Sequence, residues 1–152
     1  MAFDLHAIQE TIKSHLESEL PQYHYFRGVI PEDSQLIRDS DSEVPPFFEL
    51  QFGPMIPRPR GRSMAGPRND EYYSWVQVVG IGSDEGHVSA ALAVVVDRLI
   101  GYKPAGGTPL VPDNGPTDYG SRQYSIRPVM YYQSQRFEFG ITQSGLNGYL
   151  TP

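Results

Sequence analysis

The stretch EYYSWVQVVGIGSDEGHVSAALAVVVDRLIG, residues 71–101, reads as a strand, a turn and a helix in succession. Glu71 to Ile81 is rich in β-branched and aromatic residues, which suit a pleated surface. Tyr73, Trp75, Val79 and Ile81 fall on one face; Tyr72, Val76 and Val78 fall on the other. With both faces largely apolar, this strand belongs at the centre of a sheet or beneath a neighbouring subunit. From Asp84 to about Ile100 the apolar period changes. Val88, Leu92, Val95 and Leu99 recur at spacings of three and four, which is one face of a helix. Gly101 is placed to cap its C-terminus, with Pro104 just beyond. The run Val94-Val95-Val96 would also suit a strand, but the cap, the flanking alanines and the length favour helix.

Outward from this unit the same patterns recur. Asp4 can cap a first helix, in which Leu5, Ile8, Ile12, Leu16 and Leu20 share a face and which Pro21 ends. Tyr23 to Val29 reads as a strand, followed by a polar stretch, Pro31 to Pro46. In Phe47 to Phe52, Phe48, Leu50 and Phe52 point one way and Phe47, Glu49 and Gln51 the other. Arg122 to Tyr132 reads as a strand, with Pro128 implying an edge, a bulge or a bend. Gln135 to Thr142 alternates again, with Phe137, Phe139 and Ile141 inward. The expected fold is α+β in two layers: a mixed or antiparallel sheet of about five strands, with two helices on one face and long Gly/Pro-rich loops. Residues 1–142 form one domain, and residues 143–152 form a flexible or partner-docked tail.

Gly and Pro make up 29 of the 152 residues, and they cluster. Seven lie in residues 53–67 and nine in residues 101–120, which predicts two long irregular loops. The first carries Arg58, Arg60, Arg62 and Arg68 against Asp70, a local charge of +3 between Pro54 and Asp70. Residues 32–43 carry Glu32, Asp33, Asp39, Asp41 and Glu43 against Arg38, a charge of −4. Three readings of the arginine loop stay open. It contacts nucleic-acid phosphates, although no aromatic residue within it could stack a base. It meets the acidic loop of another subunit in a heterologous contact, the kind that closes into rings. Or it is a solvated loop without a partner.

The signatures of chemistry are weak. The chain has no cysteine, which excludes disulfides and thiolate metal sites. Gly80-Ile81-Gly82-Ser83-Asp84-Glu85-Gly86 lies between strand and helix, where a dinucleotide fingerprint would lie. Asp84 and Glu85 would repel a pyrophosphate and instead complement the helix dipole, and no acidic residue stands where a ribose needs one. A tight turn that uses glycine is the plainer reading. Asp39 to Glu43 lacks the glycine and the distal glutamate of a calcium loop. His6, His15, His24 and His87 form no i, i+4 pair, and no nucleophile elbow is present. No catalytic, metal or cofactor residue is assigned. Met1 to Leu20 has no apolar signal core, and the longest apolar run, Ala90 to Val96, is too short to span a membrane, so a soluble intracellular protein is expected. The net charge of −6 is unlike the basic footprint of most nucleic-acid binders.

The layout resembles the tail terminator proteins of long-tailed bacteriophages, the lambda-type terminator family. The resemblance rests on the helix Leu5-x-x-Ile8-x-x-x-Ile12-x-x-x-Leu16 and on two segments flanking a long loop, Phe47 to Phe52 and Tyr72 to Ile81. The helix from Gly86 to Leu99 and final strands around Ile126 to Tyr131 and Arg136 to Ile141 complete it. It is a likeness of layout rather than of fixed residues, and the arginine loop and the Gly/Pro insertion lie outside it. The resemblance implies a ring, usually of six subunits, that caps the tail tube at its head-proximal end in the virion and stops its polymerisation. Its partners would be the tail tube protein and a head-completion or connector protein, with DNA in transient passage through the lumen. It implies no enzyme activity, cofactor or membrane. The alternatives are another neck or tail-tube component, or a small ligand-binding or enzymatic domain that uses the turn at Gly80 to Gly86.

Overall fold

A computed structural model describes residues 5–27, 44–57, 72–113, 119–123 and 129–141. Two helices and seven strands follow in the order α1 (Leu5–Glu19), β1 (Tyr25–Arg27), β2 (Phe47–Phe52), β3 (Ile56–Pro57), β4 (Tyr72–Gly82), α2 (Glu85–Leu99), β5 (Val111–Pro112), β6 (Tyr119–Gln123) and β7 (Val129–Ile141). One sheet runs β1-β2-β4-β7-β5, with β3 paired to β4 and β6 to β7. It is mixed: β1 and β2 are parallel, and every other pair is antiparallel. A parallel neighbour cannot be reached through a tight hairpin. Residues 28–43 supply the length for that crossing.

β4 takes the central place that its two apolar faces suggest. It pairs with β2 from Phe47↔Ile81 to Phe52↔Val76 and with β7 from Tyr72↔Ile141 to Gly82↔Tyr131. Both helices pack on the face that carries Phe48, Leu50, Val76, Val78, Phe137 and Phe139. Ile8, Ile12 and Leu16 of α1 and Ala91, Leu92, Val95 and Leu99 of α2 join them in one core. The fully buried Phe48 packs edge-on to Tyr23 and stacks with Tyr25, at ring separations of 5.3 and 5.7 Å. The Tyr25 hydroxyl donates to the Leu20 carbonyl at 2.9 Å, tying β1 to the end of α1. Burial raises the ionisation of this phenol well above its ordinary range. At the far end of α2, Gly101 has φ +79°, the left-handed position that favours glycine after a helix.

The structure corrects the sequence reading at three places. Arg122 to Tyr132 and Gln135 to Thr142 were expected as separate strands. Instead β6 covers Tyr119–Gln123, and β7 runs unbroken through Gln133 and Ser134. Those two polar residues look like a turn, but each is satisfied inside the sheet. Gln133 Oε1 accepts from Ser89 Oγ of α2 at 2.8 Å, and Ser134 Oγ accepts from Gln77 Nε2 at 2.8 Å on the opposite face. The second Gly/Pro stretch is more ordered than a loop. The Leu110 amide donates to the Tyr102 carbonyl and the Gly101 amide to the Leu110 carbonyl, Gly107 bridges to Ile141, and β5 forms an edge where Pro112 is tolerated. In the first stretch, β3 pairs with Tyr72 and Tyr73. Asp4, Pro128 and the tail 143–152 lie outside the described residues.

Candidate functional site

The nine charged residues singled out by sequence, Arg58, Arg60, Arg62, Arg68, Glu32, Asp33, Asp39, Asp41 and Glu43, lie outside the described residues. What the fold does fix is where their segments are tethered. The arginine-bearing segment leaves the sheet at Pro57 and returns at Tyr72, two residues that pair with each other. Tyr72 also pairs with Ile141, so the C-terminal tail departs from the same end of β4. The acidic segment rejoins at Val44, at the opposite end of that strand. There the Val44 amide donates to Ser83 Oγ at 2.8 Å, and the Ser83 amide donates to the Val44 carbonyl at 3.1 Å. Asp84 and Glu85 follow immediately. The positive segment's tether and the negative segment's return at Val44 are thus separated by the length of β4, roughly 33 Å for eleven residues, while the negative segment departs at Arg27, level with Leu50 and Val78 near the middle of the strand.

The turn between β4 and α2 is shaped by packing. A Cβ at Gly80 would press on the Phe48 ring at 3.2 Å, and one at Gly82 would meet Val88 at 2.9 Å and the Pro46 backbone at 3.3 Å. Asp84 is the N-cap of α2, its Oδ1 accepting the His87 amide at 2.9 Å. A carboxylate therefore occupies the helix N-terminus where a phosphate would have to sit. The four histidines stand apart in chemistry as well as in sequence. His6 and Glu10 gather around Arg27, whose guanidinium donates to Glu10 Oε1 at 2.6 Å and lies 5.0 Å from the centre of the Phe52 ring. That hydrogen bond holds the Glu10 carboxyl below its usual range. His15 stacks flat on Tyr102 at 3.7 Å, with Nε2 3.3 Å from the Arg98 carbonyl, joining α1 to the C-terminal end of α2. His24 and His87 are exposed.

The most unusual chemistry lies on the sheet face away from the helices. Toward the Ser83 end it is apolar: Val44, Phe47, Val79, Ile81 and Met130 are buried together, with Phe26 and Tyr132 against them. Beyond that patch runs a polar lane. Gln51, Gln77 and Arg136 lie side by side across β2, β4 and β7. Glu49 and Ser134 flank Val79 in the next row. Glu49 is 4% exposed, Gln77 6% and Ser134 1%. Gln51 donates to Glu49 Oε1 at 2.9 Å, and Arg136 Nη2 reaches Gln77 Oε1 at 3.4 Å. The Arg136 guanidinium sits 4.2 Å over the ring of Trp75. Trp75 in turn packs so tightly on Gly53 that any side chain there would overlap the indole. Sequence reading placed Glu49 and Gln51 on this face but missed the lane. Alternation within each strand was legible; the register that aligns Gln51, Gln77 and Arg136 was not. No protein-family model and no curated protein matches the chain.

Proposed function

We propose that this chain is a structural subunit of a long-tailed bacteriophage: a tail terminator that assembles head to tail into a ring, of six copies in the family it resembles. The ring would cap the tail tube, stop its polymerisation and present the joining surface for the head. The supporting observation is where the charged segments are anchored along β4. A segment of charge +3 attaches at the Tyr72 end, and a segment of charge −4 delivers to Val44 at the Ser83 end. Segments of opposite charge anchored at different levels of one strand suit a heterologous contact, in which the positive segment of one subunit meets the negative segment of the next. The two-layer fold fits this role, with the helices on one side of the sheet and the second face carrying a different chemistry.

Replacing Arg58, Arg60 and Arg62 together by Ser is expected to weaken ring formation and to leave the thermal midpoint unchanged. Sedimentation at several salt concentrations would read the first, and thermal denaturation the second. Unchanged assembly with reduced DNA binding would instead favour phosphate contact by this segment.

A further inference from the structure

We propose that the open edge of β1 is a docking site for a partner protein, which adds to the sheet an extended segment with a basic residue opposite Tyr25. Among the described residues β1 pairs with β2 alone. In that parallel pair the Phe48 amide donates to the His24 carbonyl at 2.9 Å, in the register Tyr25↔Phe48. The pattern turns the His24 carbonyl and the Phe26 backbone toward β2. The N–H and C=O groups of Tyr25 and Arg27 therefore point away from the sheet, and no backbone partner meets them among the described residues. Such a row is a template for an added strand. β5, at the other end of the sheet order, offers no such row. Gly101 and Tyr102 already bond both backbone groups of Leu110, and Pro112 has no N–H.

Space for the segment lies beside the same edge. A groove of about 300 Å³ is lined by Glu17, Pro21, Tyr23, His24, Tyr25 and Phe26. Its helix side is electronegative. Glu17 is exposed, and its carboxylate meets no cation among the described residues. Pro21 cannot donate to the Glu17 carbonyl four residues back, and no basic residue stands in the last turn of α1. Burial first, then Tyr23 and Glu17, raises the ionisation of the Tyr25 phenol, in keeping with a Glu17 charge close to that ring. Side chains of paired residues share a sheet face. Tyr25 faces the helices and Phe26 the opposite face. A residue added opposite Tyr25 would thus reach toward Glu17, while its neighbours in the segment would lie on the side of the half-buried Phe26. Lys or Arg fits the first place, with its stem along Tyr23 and its head at Glu17, and apolar residues fit the second. Arg27 sets the register. Drawn to Glu10 at 2.6 Å, it would repel a cation placed opposite itself.

The site lies within one chain and does not depend on ring formation. The acetylated and amidated peptide Thr-Val-Lys-Val-Thr would be titrated into the full-length protein and followed by residue-resolved hydrogen exchange. Saturable binding is expected, with new protection at the Tyr25 and Arg27 amides and none gained at Phe26, whose amide already faces β2. N-methylation of the peptide backbone should abolish binding, and so should glutamate in place of its lysine. Glu17→Gln should weaken binding about threefold, the scale of an exposed ion pair, and leave the thermal midpoint unchanged. Absence of saturable protection at Tyr25, or equal binding of the N-methylated or the glutamate peptide, would overturn the proposal. Protection of Tyr25 that rises with protein concentration in the absence of peptide would also overturn it, and would assign the edge to a second copy of this chain.

Discussion

The two faces of the central sheet are built on different rules. The helix-covered face is largely apolar from Phe48 to Phe139, with directed polar contacts only at its margins, Tyr25 to Leu20 and Ser89 to Gln133 among the described residues. The opposite face begins with a small apolar patch at Phe47, Val79 and Ile81 and then changes to Glu49, Gln77, Ser134 and Arg136. Burial of comparable depth is thus spent on packing on one side and on directed polar contacts on the other. The first arrangement fixes the fold. The second leaves Glu49 Oε2 and Arg136 Nε buried without a hydrogen-bond partner among the described residues.

The contrast can be broken most severely from the helix side. Phe137 of β7 is fully buried in the core beneath the helices, and Phe137→Ala should cost about 3–5 kcal/mol in denaturant unfolding. Loss below 1 kcal/mol would mean that the core is looser than its burial implies. On the other face the sharpest steric test is Gly53→Ala. The added methyl must displace the Trp75 indole, costing about 1–3 kcal/mol and shifting Trp75 emission. An unchanged emission spectrum would remove Trp75 from the lane as described.

Smaller effects test the edges of the fold. Asp84→Ala should cost about 1 kcal/mol, the usual worth of an N-cap, and lower the thermal midpoint without altering the spectrum of Trp75. The Glu10–Arg27 pair should matter least. The Glu10 side chain is 42% exposed, so solvent screening limits Glu10→Gln to less than about 1 kcal/mol near neutral pH. Because Arg27 depresses the folded-state ionisation of Glu10, the stabilisation is present above the unfolded carboxyl range and is lost as pH falls through the depressed value. Parent and variant should therefore converge in acid. A gap that widens on acidification would contradict that sign.

Much of this architecture was legible in the residues. The spacing of Ile8, Ile12 and Leu16, and of Val88, Leu92, Val95 and Leu99, located both helices and the faces they bury. Alternation in Phe47–Phe52 put Phe48 and Leu50 on one face, which is the face the helices cover. The continuity of β7 was hidden because Gln133 and Ser134 satisfy their polarity through Ser89 and Gln77, residues more than forty positions away in sequence. The lane around Glu49 was hidden for the same reason. Its members come from three strands, and only register brings them together. Pairing at Val111 and Pro112 was masked by a composition that reads as loop.

The proposal that this chain acts by assembly is tested most directly by native mass spectrometry of the full-length protein at micromolar concentration, alone and with tail tubes. Closed rings of one subunit number are expected, dissociating as salt screens the charged contacts. A protein that stays strictly monomeric and also fails to bind tail tubes would contradict it.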